Sequence, residues 1–452
     1  MRDLTRRLPG LLLLMFILTI PLGVRTTLIA YELPTEPNAF LSLFFYHLDL
    51  LALIVLGSLL VFHVEQQKLP AARDLQFLMC VATLWFGWNF LTLWYAELPF
   101  LAWGVLTRYT LGGLLLLHLT PLVTQYWKAS VSALLIAGVG AAALAFLQFI
   151  GQDDLGLRFF SEPLLSPDKD GIAKTTLGGQ TLIRGYAFFP HPNVLAFFVF
   201  SALAGLFWRE MTALPSSRTS QETARDNVSR ETYKYLGLAI IILCLGGISL
   251  VDHYLLTSAQ AFYAFLVLIG ILISRPVSPV APLPPACFWG IVTALTGGVL
   301  VSWSHAVWPF FAALDLLPLH ARGVFHVKQP GTRTPPSAEM NRATSRPRVK
   351  ILLGAGGILA LGAVFGAIPW GGPAFDKRVL YLERSFEIIQ NTPLWGTGLH
   401  QYVSALPSGL PAWQYEPVHS IWILMTAETG LVGGVLFALS SLTGLMVIVR
   451  RV

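Results

Sequence analysis

The chain has 452 residues, of which 55% are hydrophobic and only 12% are charged, and its mean hydropathy is +0.65. That balance excludes an ordinary soluble protein. The net charge of +6 does not indicate a nucleic-acid partner, because the Lys and Arg residues gather in two loops and near the termini, as membrane orientation requires. The three cysteines lie in apolar segments and predict neither disulfides nor a cysteine metal site.

Long apolar segments recur along the whole chain. They predict an all-α polytopic membrane protein, a single integral membrane domain (1–452) with about twelve transmembrane helices. A cleaved signal peptide is the rival interpretation of the first segment, but no small-x-small cleavage site follows Val24. The predicted spans are 8–24, 41–62, 75–95, 98–123, 131–150, 192–208, 235–251, 255–273, a hairpin within 286–319, 351–369, and a last span after Val418.

The distribution of basic residues predicts the topology. The basic loops 209–234 and 320–350 are assigned to the cytoplasm, together with both termini. Segments 151–190 and 370–418 then form two larger external, periplasmic loops. We see no internal hydropathy repeat, which disfavours a carrier built from duplicated halves.

Two features are predicted within the C-terminal part. Apolar residues at three- and four-residue spacing in 375–390 predict an amphipathic helix on the membrane face, ended by Asn391 and Pro393. The polar interruption at Glu428 to Gly430 predicts a short helix starting near His419, followed by a separate spanning helix.

Arg184 and His419 each stand where an external loop returns to an apolar helix. Taken alone, Arg184 is typical of a snorkelling anchor and His419 of an interfacial histidine without chemistry. Both also suit an enzyme that holds a charged lipid headgroup at the bilayer surface.

Four short motifs follow one another in order along the chain: RGYAFFPHPN (184–193), PLWGTG (393–398), His419 followed by Ser420, and ETGLVG (428–433). With them the chain resembles the O-antigen ligase superfamily of lipid-linked glycan ligases and polymerases, roughly from the fourth span to the C-terminus. The resemblance implies twelve helices and a catalytic loop outside the bacterial inner membrane.

The resemblance also implies an activity in lipopolysaccharide biosynthesis. A glycan moves from a polyprenyl diphosphate carrier, such as undecaprenyl diphosphate, to a sugar hydroxyl of a lipid A-core acceptor. His419 corresponds to the catalytic base and Arg184 to the external-loop arginine that neutralises the leaving diphosphate. A neutral imidazole suits the first role and a guanidinium suits the second. Such transfer is inverting and needs no metal or cofactor. The expected partners are the glycan donor, the acceptor and membrane lipids.

The chain departs from the family pattern at TSAQA (257–261), where Gln260 stands in place of a second arginine. Glutamine can donate hydrogen bonds to phosphate but carries no charge. Substitutes for the missing cation, and further candidates for substrate binding, are Arg378, Arg384, His191 and His253. Asn193 either contacts substrate or caps the returning helix.

Arg108, inside the fourth predicted span, requires a polar partner, and Asp49 and Glu97 are both candidates. For the whole chain, ligation to lipid A-core is the first hypothesis. Polymerisation of carrier-linked glycan repeats is the alternative, since it differs in acceptor rather than donor chemistry. A lipid or glycan transporter and an inactive scaffold are the remaining alternatives.

Overall fold

A computed structural model describes residues 2–32, 37–61, 73–169, 171–177, 179–213, 258–274, 287, 291, 295, 373–411 and 414–451. Within these ranges the chain is mostly helical. The helices are α1 (Arg2–Thr19), α2 (His47–Val61), α3 (Arg73–Thr92), α4 (Pro99–Gln125), α5 (Trp127–Gly151), α6 (Pro192–Ala213), α7 (Ala259–Ile273), α8 (Pro373–Asn391) and α9 (Ile421–Arg451).

Four of the described helices are long and apolar enough to cross a membrane: α4, α5, α6 and the first 24 residues of α9. They indicate an integral membrane protein. Shorter apolar helices occur in α1, α2 and α7, and α3 occupies the predicted span 75–95. The predicted spans 235–251 and 351–369, nearly all of 286–319, the loop 320–350 and most of 209–234 lie outside the described residues, so the count of twelve stays a prediction.

Two antiparallel β-hairpins are exceptions to the all-α prediction. β1 (Arg25–Glu32) pairs with β2 (Pro37–Tyr46), and Arg25 lies opposite Tyr46. β3 (Lys174–Leu177) pairs with β4 (Gln180–Ile183). The predicted span 41–62 is therefore helical only from His47, because its first residues belong to β2. Strand β1 is rich in β-branched residues and β2 in aromatic residues, and both types favour extended backbone.

Helix α7 lies at the centre of the described bundle. It packs against α2, α4, α5, α6 and α9, and most of its side chains are buried. It is apolar on all sides, as expected of a helix surrounded by other helices. Its first turn is capped by Ser258, whose hydroxyl accepts a hydrogen bond from Ala261 N.

A buried ion pair joins α4 to α2. Arg108 donates from Nε to Asp49 Oδ1 and from Nη2 to Oδ2, both at 3.1 Å, and Nη2 also donates to the Phe44 carbonyl at 2.6 Å. Tyr263 of α7 donates to Asp49 Oδ1 at 2.8 Å. Of the two partners considered for Arg108, the structure shows Asp49. The pair is hydrogen-bonded on both sides, as a buried charge requires.

Helix α9 breaks at Gly430, which has a positive φ of 70°, as the polar interruption at this point predicts. The break frees carbonyl groups of the preceding turn, and three donors meet them. Thr397 N donates to Ala427 O, Gly398 N to Glu428 O, and Trp88 Nε1 to Thr429 O. The segment 392–402 is thereby docked on the break, and it also contacts the turn between α3 and α4 through Gln401.

The predicted amphipathic helix of the second loop is confirmed as α8, which packs against α9. Phe386 on its outer face is 54% exposed, whereas Tyr381 is 3% exposed. The loops 152–191 and 392–420 come together at one end of the bundle, which we call the loop end.

Candidate active site

The segment 184–191, which we call the Arg184 loop, connects β4 to α6 at the loop end. Arg184 is fixed through its backbone, because its N–H donates to Ala173 O at 3.1 Å. Its guanidinium donates from Nη2 to Asn193 Oδ1 at 3.0 Å. The cation is thus aimed at the first turn of α6.

The first turn of α6 shows which residue caps the helix. Pro192 occupies the first helical position, where its missing N–H is harmless. His191 is the cap, because its Nδ1 accepts from Asn193 N at 3.2 Å and its carbonyl accepts from Val194 N. The interpretation of Asn193 as the cap is therefore wrong. Its side chain accepts from Arg184 instead.

His191 is held in its neutral form. Burial, then the charge of Arg184 and the proximity of His419, together lower its pKa to about 3. This agrees with the hydrogen bond that Nδ1 accepts, since an imidazolium has no acceptor nitrogen.

His419 lies just before α9, partly buried, at the end of the second loop. Its ring packs against Tyr381 of α8 with ring centroids 5.8 Å apart. Burial, and then the charge of Arg378, lower the pKa of His419 to about 4. The imidazole is therefore neutral and able to accept a proton at physiological pH.

Residues distant in the chain converge here. Arg184 and His191 come from the first loop, and Arg378 and His419 from the second. The electrostatic interactions of His191 with Arg184 and with His419 join the two loops, and the interaction of His419 with Arg378 adds α8. Four of the predicted site residues therefore share one locality, and Asn193 joins them through Arg184.

Tyr381 and Glu416 belong to the same locality and were not selected from the sequence. Tyr381 donates its hydroxyl to Glu416 Oε2 at 3.2 Å, and its ring faces His419. Burial raises the pKa of Glu416 above its usual value. The sequence signal was present, because Tyr381 is placed one helical turn after Arg378 on an amphipathic helix.

Arg384, the other arginine predicted on this helix, makes different contacts. It donates from Nη1 to Glu387 Oε2 at 3.1 Å, and it interacts electrostatically with Tyr402. Arg378, rather than Arg384, is thus the α8 cation beside His419.

Gln260 is 1% exposed at the start of α7. Its Nε2 donates to Pro21 O at 2.7 Å and to Phe188 O at 3.3 Å. Both amide hydrogens are thereby directed at backbone carbonyls. The bond to Phe188 connects α7 to the Arg184 loop, and the bond to Pro21 connects it to the segment after α1. Its predicted contact with phosphate stays a prediction. His253 lies outside the described residues.

The convergent groups define what the site can do chemically. Two guanidinium groups approach from different loops and suit a phosphate-bearing anion. A neutral imidazole beside them suits proton transfer. In the described part of the chain, no group of three His, Cys, Asp or Glu side chains is arranged to hold a metal ion.

Comparison of the chain with protein-family models, with curated proteins and with solved structures finds no match.

Proposed function

We propose that this chain is a membrane glycosyltransferase of the O-antigen ligase type, which moves a glycan from a polyprenyl diphosphate to a lipid A-core sugar hydroxyl. The observation that carries the proposal is the convergence of Arg184, Arg378 and a neutral His419 at the loop end. These groups have the charge and proton state that the reaction needs. The order of the four motifs supports it independently.

The proposed reaction assigns one role to each group. His419 takes the proton from the acceptor hydroxyl as its oxygen bonds to the anomeric carbon of the donor sugar. The bond from that carbon to the diphosphate oxygen breaks, and the diphosphate leaves with the electron pair. Arg184 and Arg378 neutralise the charge that develops on it. Attack opposite the leaving group inverts the anomeric centre.

Arg378 is the candidate for the second cation, which Gln260 does not supply. Because the amide hydrogens of Gln260 are directed at Pro21 and Phe188, a second cation has to come from elsewhere. Arg378 is close enough to His419 to lower its pKa. In the proposed enzyme it takes the place of the second arginine.

The test is glycan transfer by the purified, reconstituted protein from a polyprenyl-diphosphate-linked donor, with and without lipid A-core. We expect acceptor-dependent product, lost in His419→Ala and in Arg184→Ala. His118→Ala in α4 and Arg158→Ala, an exposed arginine of the first loop, are the matched controls and should retain activity.

The other outcomes identify the alternatives. Lengthening of carrier-linked glycan without lipid A-core assigns the polymerase reaction to the same site. Full activity of both variants rejects the roles of His419 and Arg184, and flipping of the lipid without bond formation makes the protein a transporter.

A further inference from the structure

Gln148, a buried glutamine near the end of α5, makes four hydrogen bonds with its side-chain amide. It is 1% exposed. Nε2 donates to Glu162 Oε1 at 2.7 Å and to Ala187 O at 3.0 Å, while Oε1 accepts from Tyr186 N at 3.0 Å and Ala187 N at 2.7 Å. Both donors and both lone pairs of the amide are used, so this side chain has one fixed orientation.

The backbone that Gln148 holds is strained. Ala187 has a φ of 51°, in the left-handed region that is unfavourable for a residue with a Cβ. Gln148 binds both the N–H and the carbonyl of this residue. The buried amide thus donates one hydrogen bond to Ala187 and accepts another from it, and together these hold a backbone conformation that is unfavourable for alanine.

The other flank of Arg184 is held by Gln152, the C-cap residue that follows α5. Gln152 accepts from Ile183 N at 2.7 Å through Oε1. Between these two contacts, Gly185 lies so close to α5 that a Cβ added to it would be 2.7 Å from Ala145 O. Arg184 thus lies between Ile183 and Tyr186, whose N–H groups are hydrogen-bonded to Gln152 at the C-cap of α5 and to Gln148 within α5.

Glu162 extends the connection to the rest of the first loop. Its side chain accepts from Leu155 N at 2.7 Å and from Leu157 N at 2.6 Å, besides Gln148. It is 6% exposed, and three N–H donors compensate its charge. Gln148 therefore connects two segments of the first loop to α5: residues 155–162, through Glu162, and residues 186–187 directly.

We propose that Gln148 is a positioning residue, which sets the place of Arg184 by fixing the backbone that follows it, from Tyr186 to Ala187. The inference rests on the proposed function, since it concerns how firmly Arg184 meets the donor diphosphate. Gln148 lies behind the loop, and its effect on donor binding is transmitted through Arg184.

The test uses Gln148→Met, which keeps size and removes the hydrogen bonds. Gln125→Met is the matched control, because Gln125 is exposed and lies at the opposite end of the α4–α5 pair. Amide hydrogen exchange over 183–189 is measured in each reconstituted variant, together with binding of undecaprenyl diphosphate. The same binding assay is run on Arg184→Ala and on the double variant Gln148→Met/Arg184→Ala.

We expect Gln148→Met to speed exchange over 183–189 by about tenfold or more and to weaken binding by about tenfold. The double variant should bind no more weakly than Arg184→Ala alone, because residues that act as one unit are not additive. Thermal unfolding close to that of Gln125→Met shows that the global fold is intact. If Gln148→Met does not fold, Gln148→Asn, which keeps the amide but is one methylene shorter and no longer reaches these partners, takes its place.

Unchanged exchange over 183–189 would overturn the inference, and so would additive losses in the double variant, which would mean that Gln148 acts independently of Arg184. Absence of undecaprenyl diphosphate binding by the unsubstituted protein contradicts the proposed function instead. The exchange measurement then decides by itself whether Gln148 holds the Arg184 loop.

Discussion

The imidazole of His419 packs against the ring of Tyr381, with ring centroids 5.8 Å apart and ring planes tilted by 55°. Tyr381 is anchored in turn by its hydroxyl, which donates to Glu416. The position of the proposed base is therefore set by α8 and by the segment that precedes α9.

His419→Gln should lower kcat for glycan transfer by about 100-fold to 10,000-fold, the usual contribution of a general base. The donor KM should change little, because the imidazole acts on the acceptor proton. Steady-state kinetics with saturating acceptor measure both. His118→Gln in α4 is the control. A large rise in donor KM with unchanged kcat would make His419 a binding residue.

The pH dependence of kcat/KM follows from the lowered pKa of His419, about 4. A base acts in its neutral form, so its activity is present above the pKa and lost as pH falls through it. We expect the acid limb near pH 4 instead of 6.5. Besides Arg378, the groups that lie near this ring are His191 and Tyr381.

Substitution of Arg378 should shift this acid limb of the pH profile. Burial is the larger cause of the lowered pKa of His419, and the charge of Arg378 is the second. Arg378→Met should therefore shift the acid limb to higher pH, while burial still keeps it below pH 6.5. Arg378→Lys retains the charge and should leave the limb in place. A limb unmoved by Arg378→Met would show that this charge does not reach His419.

Asn193→Asp should weaken donor binding by about tenfold. The new carboxylate would lie beside the Arg184 guanidinium, which now donates to the amide oxygen at 3.0 Å, and would compete with diphosphate for it. Binding of polyprenyl diphosphate is the measurement. Asn391→Asp, at the exposed last residue of α8, is the matched control. Equal affinities in both variants would place the diphosphate away from Arg184.

Gly430→Ala should destabilise the protein by about 1–3 kcal/mol or more. Its φ of 70° is unfavourable for alanine, and the added Cβ would collide with the Leu394 carbonyl. Thermal unfolding in detergent measures the effect. Gly444→Ala in the same helix meets open space and should be neutral or stabilising. Equal melting temperatures for the two variants would contradict the docking of 392–402 on the helix break.

Asp49→Asn should destabilise the bundle by about 3–5 kcal/mol, because it leaves the Arg108 charge buried without its counter-ion. Glu97→Gln, at the exposed alternative position, should have little effect. The double variant Asp49→Leu/Arg108→Met should be less costly than Asp49→Asn alone. Unfolding in detergent tests all three. A double variant less stable than the single would show that the ion pair is a net source of stability.

Much of the helical framework can be predicted from the sequence, because an apolar segment has few alternatives in a membrane. The spans at α4, α5 and α6, the amphipathic α8 and the break at Gly430 all follow from composition and spacing. The hairpin of β1 and β2 was missed. Residues 41–46 of β2 are as apolar as the span to which they were assigned, and hydropathy does not separate a strand from a helix over so short a run.

The candidate site divides in the same way. Residue type and motif order selected Arg184, Arg378 and His419 from the sequence. The choice of Asp49 over Glu97 as partner of Arg108, of His191 over Asn193 as helix cap, and of Arg378 over Arg384 as the cation beside His419 required the tertiary structure. Each is a choice between similar residues, and only packing between distant segments makes it.

The sequence by itself determined that this is a mostly helical membrane protein and which charged side chains stand where loops return to helices, since hydrophobicity and charge act locally along the chain. The tertiary structure alone decided which of those side chains meet. The neutral state of His419 depends on burial, and the backbone on both sides of Arg184 is held by hydrogen bonds that Gln148 and Gln152 accept. Both arise only when segments distant in the chain pack together.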